Sequence, residues 1–178
     1  MAKAGVSQLT YADLQALPDD HNRYELIDGE LLVSASPNLA HQVASRRLTI
    51  LLDAACPPGL TVLYAPFDWV VDDHNVYQPD ILVAHDDTLT ERHLAHPPAL
   101  AVEILSPSSR SVDLVRKRAA YERAGLDHYW VVDPLLPAVT VLARVGRRLV
   151  EVAAAKGDEP LAVERPFPVT VVAADLVA

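Results

Sequence analysis

A single cysteine, Cys56, in 178 residues leaves no partner for an internal disulfide and no thiolate set for a zinc cluster. Glycine is scarce as well. The six present are scattered singly, so no glycine-rich loop is available to cradle a phosphate. Although 51% of the residues are hydrophobic, no apolar run approaches the roughly 20 residues that cross a bilayer. The opening residues, MAKAGVSQLT, contain no apolar h-region, so no signal peptide is expected; the expected location is cytoplasmic, with no membrane partner. Basic residues are outnumbered, 15 against 24 acidic, giving a net charge of −9 and a pI near 5.1. That balance argues against a protein whose main task is to coat nucleic acid. It does not argue against an enzyme that meets nucleic acid through a divalent metal, because the metal brings its own positive charge.

The length fits one domain, residues 1–178, with enough apolar residues for a substantial core. TYADLQAL reads as a short helix capped by Thr10. RYELIDGELLVS reads as a β-hairpin whose turn, Asp28-Gly29, tolerates positive φ at both positions. A long helix follows, with Ser36 as its cap, Pro37 at its first position, and Val43, Leu48, Leu51 and Leu52 on its apolar face. Pro57-Pro58-Gly59 ends it. TVLYA, FDWVV, QPDILVA and ALAVEIL then read as strands, with a polar, histidine-rich loop over 85–98. SRSVDLVRKRAAYERAG reads as a helix closed by Gly125, and DHYWVVD, AVTVLAR, RLVEVAA and the tail FPVTVVAADLVA supply further strands. Eight to ten strands and two principal helices in this order make an α/β (α+β) fold, a mixed sheet flanked by helices. ALAVEIL is apolar on both sides of its alternation, so it belongs at the centre of the sheet with both faces covered.

That placement makes one residue conspicuous. Glu103 lies within ALAVEIL, and burying a carboxylate is costly unless something opposite in charge accompanies it. Asp80, in QPDILV, is a second carboxylate at a strand expected to be buried. Either acid alone is satisfied most simply by an arginine or a backbone N–H. Two on adjacent strands form the oxygen pair that Mg²⁺ takes, with waters and a substrate phosphate completing its shell. On the helix that follows, a 100° step stacks Asp113, Lys117 and Tyr121 at i, i+4 and i+8, with Leu114, Ala120 and Ala124 on the same side. Arg116 and Arg123 point away. With three lysines against twelve arginines, a lysine on the sheet-packing side is informative: a compact ammonium fits a tight site where a guanidinium does not. Spacing leaves two roles open for Lys117, a member of the acidic site or a snorkelling partner of Asp113.

The segments QPDILV, VEILSPS, DLVRKRAAY and HYWVVDP, together with YELIDGEL and the helix containing His41, resemble the Uma-type endonucleases, once catalogued as a domain of unknown function. That family sits in the PD-(D/E)XK nuclease superfamily, and the resemblance runs over roughly residues 8–175. Its most specific part is VEILSPSS followed by D-x-x-x-K-x-x-x-Y; a bare PD is weak. The resemblance implies a restriction-endonuclease-like fold and metal-dependent hydrolysis of DNA phosphodiesters, with Mg²⁺ or Mn²⁺ as cofactor. Asp80 and Glu103 match the metal-binding acids. The superfamily usually carries lysine two residues after the second acid, where this chain has Leu105; in the Uma-type pattern the lysine comes from the next helix, and Lys117 matches it. Glu25, His41, Asp113 and Tyr121 match positions that support the site or stay structural. A nuclease cutting both strands gains from two copies of its site, so a homodimer suits the chemistry, though no residue specifies one.

Other residues invite chemistry less well. His85, His93 and His96 lie in or beside a polar loop at spacings that match no compact zinc motif. Ser106, Ser108 and Ser109 read as helix caps, since no G-x-S-x-G elbow is present. Trp69 and Trp130 read as core. The best basic strip for a phosphate backbone runs from Arg110 to Arg123, aided by Arg46 and Arg47, while the segment from Asp68 to Glu91 is acidic and repels one. A nuclease fold that has lost catalysis and serves as a partner or regulatory module is the competing reading.

Overall fold

The strand holding Glu103, β8 (Leu100–Ile104), is buried along its whole length in the computed structural model. The structure describes residues 8–20, 22–34, 36–107 and 112–177, the side chains of Val112 and Asp113 apart. Thirteen strands lie among them, in three sheets. Around β8 runs a six-stranded sheet in the order β11-β10-β9-β8-β6-β3. Its members are β3 (Leu60–Tyr64), β6 (Ile81–His85), β9 (His128–Asp133), β10 (Ala138–Val145) and β11 (Arg148–Lys156). The pair β8–β9 is parallel and the rest antiparallel, so the sheet is mixed. A parallel pair needs a long crossover. Here a π-helical segment (Val112–Lys117) and α3 (Arg118–Ala124) provide it.

A second sheet has the order β2-β1-β5-β4-β7, from β1 (Arg23–Ile27), β2 (Glu30–Ser34), β4 (Asp68–Asp72), β5 (Asn75–Tyr77) and β7 (His93–Leu94). The short pair β12 (Pro160–Val163) and β13 (Val169–Val172) forms the third. Side-chain alternation divides the core in two. On one face of the six-stranded sheet, Ile81, Val83, Val102, Ile104 and Trp130 pack with Leu48 and Leu52 of α2 (Leu39–Ala55) and with the β12–β13 pair. On the other, Leu82, Ala84, Ala101 and Tyr129 pack with Ile27, Trp69 and Tyr77 of the second sheet and with Tyr121 of α3. Glu103 and Asp80 belong by alternation to this second face.

The expected mixed central sheet is the six-stranded one, and two further sheets accompany it, because periodicity identifies strands without saying which of them pair. The first helix is α1 (Tyr11–Gln15), where Thr10 and Asp13 form a reciprocal capping box. The hairpin turn has φ of 54° at Asp28 and 75° at Gly29, as its type requires. Helix α2 is capped by Asn38 rather than Ser36: the Asn38 side chain accepts from the His41 N–H at 3.0 Å, so Pro37 lies outside the helix. On α2 Ala44, Leu48 and Leu52 are fully buried, Leu51 packs against them, and His41 is largely buried. Leu114 is exposed, because the turn that carries it is π rather than α and rotates it off the sheet. No helix among the described residues is long and apolar enough to cross a membrane.

Candidate active site

Asp80 sits one residue before β6. Continuing the register Ile81↔Val102 across the antiparallel β6–β8 pair places Asp80 opposite Glu103. Asp80 Oδ2 accepts from the Ile104 backbone N–H at 2.7 Å, which ties the two strand ends together. Both acids are inside: Asp80 is 3% exposed and Glu103 0%.

Lys117 answers the question posed by Glu103. It is 1% exposed, and its Nζ lies 3.0 Å from Glu103 Oε1 and 2.9 Å from Glu25 Oε2. The Tyr121 hydroxyl, one α-turn further on, donates to the same Glu103 oxygen at 2.5 Å. Burial, and then the charge on Glu103, push the Tyr121 hydroxyl well above its ordinary range, so it remains a donor. Lys117 thus forms an ion pair with the strand acids, while the other role open for it, a pairing with Asp113, falls on a side chain outside the described residues. Glu25, for which a hairpin-backbone bond and a place beside the acids were both open, stands beside the acids, and the backbone group it bonds lies outside its hairpin. Its second oxygen accepts from the Gln78 N–H at 2.8 Å. Asp113's side chain, Arg110 and Ser108-Ser109 lie outside the described residues.

His41 reaches the site from α2, Nε2 to Asp80 Oδ2 at 3.1 Å. Because a carboxylate only accepts, Nε2 carries the hydrogen. Nδ1 is buried, with no hydrogen-bond partner among the described residues.

Sequence reasoning missed Arg23. Its Nη1 donates to Asp80 Oδ1 at 2.6 Å, and its Nε lies 3.8 Å from Glu25 Oε2. A signal for it existed, since Arg23 and Glu25 stand two apart on one strand and share a face. Burial alone would raise the Asp80 carboxyl, but the His41 hydrogen bond and the charges of Arg23 and Lys117 outweigh it and hold Asp80 well below the usual carboxylate range. Burial likewise works against the Arg23 charge and is overcome by Asp80, Glu25 and Glu103. The cluster thus gathers three carboxylates, two side-chain cations and an imidazole from β1, α2, the start of β6, β8 and the crossover.

Arg23, His41 and Asp80 line a cavity of about 840 Å³, with Tyr64, Gln78 and Ser106 among its other walls. Four arginines of the expected basic strip are engaged within the protein. Arg116 pairs with Glu30 at 2.6 Å, Arg123 with Asp28 at 2.9 Å, and Arg118 donates to the Leu149 carbonyl. Arg47 donates to the Asp175 carbonyl at 2.6 Å. The loop histidines form no metal cluster, and no group of three or more His, Cys, Asp or Glu among the described residues is arranged to hold an ion. Trp69 and Trp130 are fully buried, as expected of core residues.

No curated protein matches the chain. Among solved structures, it is similar to a crystal structure of a putative nuclease of the DUF820 family from Anabaena variabilis, at 20% identity over 95% of this chain and 97% of that one, with a TM-score of 0.72. At that identity the likeness establishes the fold, which is that of the restriction-endonuclease-like nucleases. The family model described as "Uma2: Putative restriction endonuclease" matches residues 11–175, the span that contains every side chain of the cluster, and the chain belongs to that family.

Proposed function

We propose that the protein is a metal-dependent endonuclease that hydrolyses DNA phosphodiester bonds, with Asp80 and Glu103 as metal ligands and Lys117 beside them. The observation that carries this reading is the juxtaposition of two buried strand acids with a buried lysine at 3.0 Å from one of them. The donor set fits a hard divalent cation in kind: it consists of carboxylate oxygens, and Mg²⁺ commonly takes only one or two from protein and keeps several waters. Bound there, Mg²⁺ or Mn²⁺ supplies Lewis-acid polarisation of the phosphate and a lowered pKa for an attacking water.

The chain's own residues do the rest. Lys117, held between Glu25 and Glu103, fixes the Glu103 carboxylate and adds positive charge to the acidic cluster. Tyr121 holds the same oxygen from the other side. His41 orients Asp80 through Nε2, and the Ile104 N–H anchors the same oxygen.

Cleavage of supercoiled and single-stranded DNA in Mg²⁺ and in Mn²⁺ tests the reading. Asp80→Ala and Lys117→Ala are expected to lose at least about 100-fold in rate, in line with the loss of an electrostatic group from a preorganised site. Wild-type cleavage by both variants, with folding intact, rejects the site. A second reading, a nuclease-fold module without catalysis, draws on one observation: Arg116, Arg118 and Arg123 are all engaged within the protein. Absence of both cleavage and metal binding in the wild type favours it. Homodimerisation belongs with the first reading, because two sites serve two strands.

A further inference from the structure

Among the described residues, Arg23 is the only cation of the cluster that stands at the cavity wall. Its side chain is 20% exposed, against 3% for Asp80 and 2% for Lys117. Its guanidinium lies on Asp80 Oδ1 at 2.6 Å, while the other oxygen, Oδ2, is taken by the Ile104 N–H and by His41. Oδ1 is therefore the oxygen of Asp80 with the fewest protein donors, and the guanidinium is its donor. Mg²⁺ binds carboxylate oxygen at about 2.0–2.1 Å. A divalent ion at that distance and a guanidinium on the same oxygen are two like charges within about 4 Å in a site of low dielectric, a strongly repulsive arrangement. Lys117 cannot give way in its place, since it is buried and ion-paired to two acids.

We infer that Arg23 is a built-in stand-in for the metal. It neutralises Asp80 in the metal-free protein, and a divalent cation binds only by displacing the guanidinium from Oδ1, so Arg23 sets the metal affinity of the site. The inference rests on the proposed metal site at Asp80 and concerns what fills that site before metal arrives. The chain is built for the exchange: Arg23 is on β1 with the cavity beside it, so its guanidinium can leave Oδ1 without moving a strand.

Mn²⁺ titration by calorimetry, on wild type, Arg23→Gln and Asp80→Asn, tests this without reference to catalysis. Arg23→Gln is expected to bind Mn²⁺ at least tenfold tighter than wild type, and Asp80→Asn to lose binding. A companion measurement needs no folded variant. In ¹⁵N-arginine NMR of the wild type, the Arg23 side-chain signal should shift on Mg²⁺ saturation, and its Nη rotation should speed up as the bond to Asp80 is released. If wild type binds Mn²⁺ through Asp80 but Arg23→Gln binds no tighter, or the Arg23 signal is unmoved at saturation, the inference fails and the proposed function stands. If neither wild type nor Arg23→Gln binds Mn²⁺, both fall together.

Discussion

Lys117 has two carboxylates within 3.0 Å and almost no contact with solvent. Removing one partner of a buried charge set leaves the others uncompensated, which typically costs about 3–5 kcal/mol. Lys117→Met should therefore lose that much stability in urea unfolding, because Glu25 and Glu103 would face each other across an apolar side chain. A loss below about 1 kcal/mol would mean that the acids are solvated and the site is open. Lysine could be singled out in the sequence because it is rare there and stands on the sheet-packing side of a helix. Arg23 was harder to single out, because it is one of twelve arginines and its one local mark is the face it shares with Glu25. Its significance lies in Asp80, 57 positions away, and strand alternation alone says only that it shares a face with Glu25. His41 was legible as a helix-face residue but not as the donor to Asp80, for the same reason of distance along the chain.

The hairpin β1–β2 brings Arg23 and Glu25 to the site, and its turn is the element most exposed to a backbone test. Gly29 has φ of +75°, and a Cβ there would lie 2.6 Å from Gln8 Cβ. Gly146, in the turn between β10 and β11, has φ of +63° and nothing within 4 Å of the same position. Both substitutions to alanine carry the left-handed penalty of about 1–2 kcal/mol, and only Gly29→Ala adds a steric clash. Thermal unfolding should therefore rank Gly29→Ala as the more damaging; equal effects would show that the Gln8 segment yields without cost. Asp28-Gly29 announced this hairpin in the sequence because only a few residue pairs tolerate that turn. The π-helical segment gave no such announcement. Spacing arguments assume 100° per residue, and a wider turn shifts every residue before Lys117, which is why Leu114 lies outside. The two-residue β7 and the short β5 and β12 were below what alternation can register.

At the scale of the whole molecule, His128, at the start of β9, contributes to the pH dependence of stability. Burial, followed by the charge of Arg165, lowers its pKa, and Asp127 opposes them. The unfolded chain takes up a proton near pH 6.5 while the folded one resists it. The contribution is thus intact above about pH 6.5 and is lost as pH falls below it toward the folded value. Urea unfolding at pH 7.5 and 5.5 should show His128→Gln losing less stability on acidification than wild type does; parallel losses would reject the assignment. The centrality of β8 was legible because its apolar residues occupy both faces, whereas the division into three sheets depends on pairings that no single segment encodes. That division has an optical consequence. The two tryptophans lie on opposite faces of the six-stranded sheet, Trp130 with α2 and Trp69 against Tyr121 at a ring-centroid distance of 5.4 Å. Tyr121 in turn rests its hydroxyl on Glu103. The protein thus carries its own fluorescent pair, with Trp69 one aromatic ring from the acidic cluster and Trp130 on the far side of the sheet as an internal reference.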